Sequence, residues 1–114
     1  MELKYRKEGE ILVVELSGRL DTSNYESFSN DLFKKLEEGD KYVVLDLEGL
    51  DYISSSGLRV FLSALKQMRA NKGDIALCCM SEKINDVFEI SGFSSLFKVY
   101  VSFDDAVGNN FFID

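Results

Sequence analysis

Apolar and polar residues alternate over residues 3–6, and Gly9 separates this segment from a β-branched run at 11–16. The pattern predicts a β-hairpin whose first strand has one wet face. After Gly18 the period lengthens. Tyr25, Phe28, Leu32 and Leu36 fall on one helical stripe that stops at Gly39, and Ser23 and Glu26 stand at the spacing of a capping box. Residues 42–47 are apolar at nearly every position, as in a central strand covered on both faces. A serine cluster then opens a second helix carrying Leu58, Phe61, Leu62, Leu65 and Met68 on one face and closed by Asn71-Lys72-Gly73. Asp74 leads into a strand at 75–80. Ser81 is placed to cap a third helix with Ile84, Val87 and Phe88 and a stop at Gly92. Residues 98–101 read as a short edge strand and 104–107 as a last short helix.

Strands alternating with helices define an α/β protein: a mixed, mostly parallel sheet of about five strands, with an N-terminal antiparallel hairpin and about four helices packed against it. No linker, repeat or low-complexity segment interrupts the 114 residues, so residues 1–114 are expected to form a single domain. A chain of this length buries roughly two-thirds of its unfolded surface, enough for one core.

Composition narrows the function. A hydrophobic content of 46% beside 29% charged residues belongs to a folded globular chain. No apolar stretch approaches the roughly 18 to 20 residues of a membrane helix, and the N-terminus lacks the apolar block of a signal peptide, so a cytoplasmic, membrane-free protein is expected. Thirteen basic against twenty acidic residues give a net charge of −7, the wrong sign for neutralising phosphates, which argues against nucleic acid. The chain has no histidine, which excludes a Ser-His-Asp triad, a Cys-His pair and a histidine metal site. Its two cysteines, Cys78 and Cys79, are adjacent. On a strand their side chains point to opposite faces, where they do not readily share a metal or form an ordinary disulfide, and they are expected to be small apolar fillers in a reducing compartment. Neither cofactor nor metal is expected.

The segment Ser54-Ser55-Ser56-Gly57 sits where the second helix begins. The first turn of a helix has backbone N–H groups without partners and a positive dipole end, so a phosphate on such a serine is accommodated while its charge of about −1.5 to −2 changes any docked surface. The structural alternative is that the serines are only cap and loop and that Gly57 only permits a tight turn.

The string Leu50-Asp51-Tyr52-Ile53-Ser54-Ser55-Ser56-Gly57-Leu58-Arg59-Val60 resembles the signature of the STAS family of bacterial anti-sigma factor antagonists. The segments Leu16-Ser17-Gly18-Arg19-Leu20-Asp21, Val43-Val44-Leu45-Asp46-Leu47 and Ser91-Gly92-Phe93 are similar to three further family segments, and the likeness spans roughly residues 3 to 107. The resemblance implies a STAS fold and a protein that acts by binding, a substrate rather than an enzyme. It implies phosphorylation of Ser55, two positions before the glycine, with Ser54 and Ser56 as the lesser candidates. It makes Asp21, an acid beside the phosphorylation loop, together with Ser54, Ser56, Gly57, Leu58 and Arg59, the partner-binding residues, on an edge running from 54 to about 62. Ser54 stands where the best-known members carry Asp, and Arg19 where several carry an acid.

The partner implied is an anti-sigma factor serine kinase of the histidine-kinase-like ATPase fold. It is bound by the unmodified protein, which frees a sigma factor, and released on phosphorylation; a metal-dependent serine phosphatase resets the switch. The protein is expected to be a monomer. Two rivals are weighed against this: a STAS subunit of a larger signalling or lipid-transport assembly that is never phosphorylated, and a serine-nucleophile enzyme. The enzyme has only the spacing of Ser63 and Lys66 in its favour, which on a helix is ordinarily a solvated face. Glu37, Glu38 and Asp40 show no regular cation-ligand spacing and read as solubilising charge. Phe111 and Phe112 near the C-terminus are expected to pack on the core or on a partner.

Overall fold

The computed structural model describes residues 1–108. The expectation for Phe111 and Phe112 lies outside these residues. Strands β1 (Glu2–Glu8) and β2 (Ile11–Leu20) are followed by α1 (Tyr25–Leu36), β3 (Tyr42–Ile53), α2 (Ser55–Ala70), β4 (Asp74–Cys78), α3 (Glu82–Ile90), a single 3-10 turn (Phe93–Ser95), β5 (Lys98–Tyr100) and α4 (Phe103–Gly108). The sheet order is β1-β2-β3-β4-β5. β1 and β2 form the antiparallel hairpin and the remaining pairs are parallel. This is the mixed sheet expected from the alternation of periods, with β3 central and β5 at an edge.

The two faces of the sheet are covered unequally. Leu12, Val14, Val43, Leu45, Ile75 and Leu77 join the main core with Phe28 and Leu32 of α1, Phe61 and Leu65 of α2 and Phe88 of α3. Four phenylalanines run through this core, with ring centroids 5.9 Å apart for Phe28 and Phe61, 5.8 Å for Phe61 and Phe88 and 6.1 Å for the edge-on pair Phe88 and Phe97. On the opposite face, Ile11, Val13, Val44, Ala76 and Cys78 meet the short α4 through Ala106, with Phe103 and Val107 at its margin and Tyr42, Cys79 and Tyr100 packed alongside. The continuous apolar run of β3 therefore reflects burial on both sides. It breaks at the half-buried Asp46 and exposed Glu48.

Several local expectations are revised. Ser23 does not begin a capping box: its N–H and hydroxyl both donate to Asp21 Oδ1, at 3.0 and 2.6 Å, and Asn24 is the N-cap residue of α1. The central strand does not end near residue 47: β3 continues to Ile53, with irregular register against β2 around Ser17 and Gly18. Glycine 49 fits there because a Cβ would stand 2.8 Å from Ser17 Cβ. β4 stops at Cys78, and Cys79 takes a left-handed φ of 64°, so the two thiols do not point to opposite faces. Asp40 pairs with Lys7 and Glu38 with Lys35, so this acidic cluster is partly neutralised by neighbours. No helix among the described residues is long and apolar enough to cross a membrane.

Candidate functional site

The parallel register of β2 and β3 sets Arg19 beside Tyr52 and Leu20 beside Ile53, so both strands end at the same rim of the sheet. The chain passes from Ile53 into α2 through one residue, Ser54, whose extended backbone (φ −87°, ψ 170°) is that of an N-cap. The Ser54 N–H donates to the Leu20 carbonyl at 2.9 Å, and the Ser54 hydroxyl accepts from the Gly57 N–H at 3.2 Å. Only 9% of Ser54 is exposed. Its hydroxyl satisfies one of the unpartnered donors of the first turn, which ties it to structure.

Ser55 is different. It is the first residue of α2 and exposed, while Ser56 is half-buried. Gly57 and Leu58 turn inward: Leu58 is 6% exposed, and a Cβ on Gly57 would stand 2.7 Å from Leu20 Cγ. Of the residues assigned to partner contact, the structure therefore brings Asp21, Ser56 and Arg59 to the surface with Ser55 and places Ser54, Gly57 and Leu58 beneath it. Arg59 stands one helical turn after Ser55, exposed, and makes no ion pair with another described residue.

Asp21 begins the turn after β2. The Ser23 hydroxyl and N–H, with the Arg19 guanidinium and a backbone contact at Asn24 adding less, hold its carboxyl below the ordinary carboxylate pKa. These bonds lie within its own turn, and none reaches the serine run. Its N–H donates to Asn24 Oδ1 at 2.9 Å, and Asn24 Nδ2 donates to the Arg19 carbonyl at 2.8 Å, which closes the turn. Arg19 Nε lies 3.9 Å from Asp21 Oδ2, and its guanidinium sits over the Tyr52 ring at 4.4 Å. Arg19, Tyr52 and Asn24 are thus parts of this surface that the sequence reading did not assign. Neither Arg19 nor Tyr52 carries a local signal, because both lie beyond the apolar runs at 11–16 and 42–47 and meet only through the register of β2 and β3. Asn24 was hidden by a cap reading one residue off.

The rim carries a hydroxyl, an acid, two arginines and a tyrosine, with no imidazole or thiol base. Ser63 and Lys66 are both exposed on α2, as a solvated face would be. The arrangement suits an exposed phosphate acceptor on a rigid helix start within a polar docking surface.

A family model for the STAS domain matches residues 2–106. The chain is 42% identical over 99 residues, 87% of this chain and 85% of the relative, to BtrV of Bordetella bronchiseptica, a proposed anti-sigma factor antagonist. It is 28% identical over 86 residues, 75% of this chain and 80% of the relative, to the anti-sigma-B factor antagonist of Staphylococcus aureus. Its backbone is similar to that of the Bacillus anti-sigma factor antagonist SpoIIAA in its unphosphorylated form, with a TM-score of 0.80 and 20% identity over 99% of both chains. The same Bacillus protein in its phosphorylated form gives a TM-score of 0.71 and 21% identity, over 95% of this chain and 98% of that one. The chain belongs to the STAS domain family.

Proposed function

We propose that this protein is an anti-sigma factor antagonist that binds an anti-sigma factor kinase of the histidine-kinase-like ATPase fold and is released when Ser55 is phosphorylated. The observation that carries the choice of serine is the division of labour in the run. The Ser54 hydroxyl is buried and caps α2, whereas Ser55 is exposed on its first turn. The class of function is supported by relatives from two organisms that carry the name anti-sigma factor antagonist. A kinase reaches Ser55 without unfolding the helix, and the positive end of α2 tolerates the phosphate once it is made.

The unmodified chain, a monomer in the cytoplasm, docks through the rim formed by Asp21, Arg19, Ser55, Ser56 and Arg59. The new charge of about −1.5 to −2 is then forced against a surface that had packed on a neutral hydroxyl, and every 1.4 kcal/mol or so lost lowers affinity tenfold. Removal of the phosphate by a metal-dependent serine phosphatase restores binding. The protein is a substrate and ligand in this cycle, and the described region works as a single STAS unit.

Affinity capture from lysate of the source organism tests this, with the unmodified chain and a chain carrying phosphoserine at 55 as parallel baits. Expected is recovery of an ATPase of the histidine-kinase-like fold, identified by mass spectrometry, with the first bait and at least tenfold less with the second. Equal recovery by both baits, or recovery only of components of a stable assembly, contradicts the switch and favours a fixed STAS subunit.

A further inference from the structure

A second group of reactive side chains lies on the thinly covered face of the sheet, seven residues back along β3 from Ile53 and so about 20 Å from the serine rim. Asp46 and Cys78 are register partners on the parallel strands β3 and β4. The chain leaves β4 at Cys78, and the left-handed φ of 64° at Cys79 folds the second thiol back toward the first. Residues other than glycine, asparagine and aspartate rarely take that conformation. As a result the Cys78 Sγ, the Cys79 Sγ and a carboxylate oxygen of Asp46 all lie within 4.8 Å of one another.

We propose that Asp46, Cys78 and Cys79 form a binding site for one thiophilic divalent cation of the zinc class. The donor set selects the ion: two sulfurs exclude magnesium and calcium, which take oxygen, and the carboxylate beside them suits zinc better than copper(I). In a tetrahedron with zinc–sulfur bonds of about 2.3 Å and a zinc–oxygen bond of about 2.1 Å, neighbouring donors stand about 3.4–3.8 Å apart, so the three atoms need to close by no more than about 1.4 Å. The Glu48 N–H donates to Asp46 Oδ1 at 3.1 Å and fixes the orientation of the carboxylate. Cys78 is fully buried, but Cys79 borders an open depression of about 430 Å³ shared with Glu48, Met80, Ser102 and Asp104, which supplies an entry path and room for a water as fourth ligand. Binding releases the two thiol protons to solvent as both sulfurs become thiolates, and no electron is transferred.

The lack of any histidine makes the test clean, because no imidazole competes for the ion. The reduced, tag-free full chain is titrated with cobalt(II) and then back-titrated with zinc, and the sulfur-to-metal charge-transfer band and the visible bands of tetrahedral cobalt are recorded. Expected are saturation at one equivalent, displacement by zinc, loss of the charge-transfer band with at least tenfold weaker zinc binding in Cys79→Ala, and a retained but about tenfold weaker site in Asp46→Asn. Circular dichroism and thermal melts in chelator show whether each variant is folded before metal is added. A folded wild-type chain with no charge-transfer band at millimolar cobalt, or a folded Cys79→Ala variant with unchanged band and affinity, overturns the site. Neither result bears on Ser55.

Discussion

Gly57 lies directly against Leu20: a Cβ added to Gly57 would stand 2.7 Å from Leu20 Cγ, 2.8 Å from Leu20 Cδ2 and 3.1 Å from Ile53 Cγ1. The last residues of two parallel strands thus occupy the space that a side chain at 57 would need, and this close approach sets the position of the α2 N-terminus relative to the rim. Leu20 is fully buried and cannot swing away.

Gly57→Ala is therefore expected to destabilise the fold by about 1–3 kcal/mol, the usual cost of forcing a methyl into a packed core. Urea unfolding measures it. In a double-mutant cycle with Leu20→Ala, the two changes are expected to cost less together than their sum, because the smaller residue at 20 makes room for the new methyl. Additive costs would place the strain elsewhere.

Ser54→Ala removes the cap of α2, and the expected loss is about 1 kcal/mol, within the ~0.5–2 kcal/mol range of such caps. Ser55→Ala removes an exposed hydroxyl and is expected to stay within about 0.5 kcal/mol of wild type. Denaturant midpoints of the two variants, compared at equal slope, separate the structural serine from the one available for modification.

Much of this fold is legible in the sequence because each element carries a single strong period. The stripe Phe28, Leu32 and Leu36 gives α1, the unbroken apolar run of β3 gives a central strand, and Ser81 caps α3 by accepting from the Ile84 N–H at 3.2 Å, as its position suggests. What fails is set by contacts distant in sequence or by backbone dihedrals. The length of β3 beyond Leu47 depends on pairing with Ser17 to Leu20 across irregular register, which no local pattern encodes. The convergence of Cys78 and Cys79 depends on one positive φ at a non-glycine residue. At the rim, the serine run and Asp21 are visible as motif residues. Which serine is buried follows only from the hydrogen bond between the Ser54 N–H and the Leu20 carbonyl.

Asp21 should titrate below the ordinary carboxylate range, chiefly because of the Ser23 hydroxyl and N–H. A carboxyl whose folded pKa lies below its unfolded value adds stability above the unfolded pKa, and that contribution is lost as pH falls through the folded pKa. Carbon-detected NMR titration is expected to show a depressed midpoint for Asp21 and a return toward the ordinary value in Ser23→Ala. An unchanged midpoint in Ser23→Ala would take the depression away from the hydroxyl and assign it to the backbone N–H of residue 23 and to Arg19.

A phosphate on Ser55 stands four residues before Arg59 on the exposed side of α2, the spacing at which opposite charges meet on a helix. This pair, worth about 0.5 kcal/mol, is expected to lower the phosphate's second pKa by about 0.4 pH units, and Arg59→Ala removes the shift. Phosphorus-31 NMR titration of the phosphoserine chain reads it directly. Because the helix dipole acts in the same sense, the phosphorylated chain is expected to melt no lower than the unmodified one.

Site mapping by intact-mass and peptide mass spectrometry, after the wild-type chain and a Ser55→Ala variant have been incubated with ATP and lysate of the source organism, reaches the core of the switch. A single phosphate on Ser55 of the wild type and none on the variant is the expected result. An equal phosphate on both, at Ser54 or Ser56, or none on either beside a control kinase reaction that works, contradicts the assignment of Ser55 as the residue through which binding is switched.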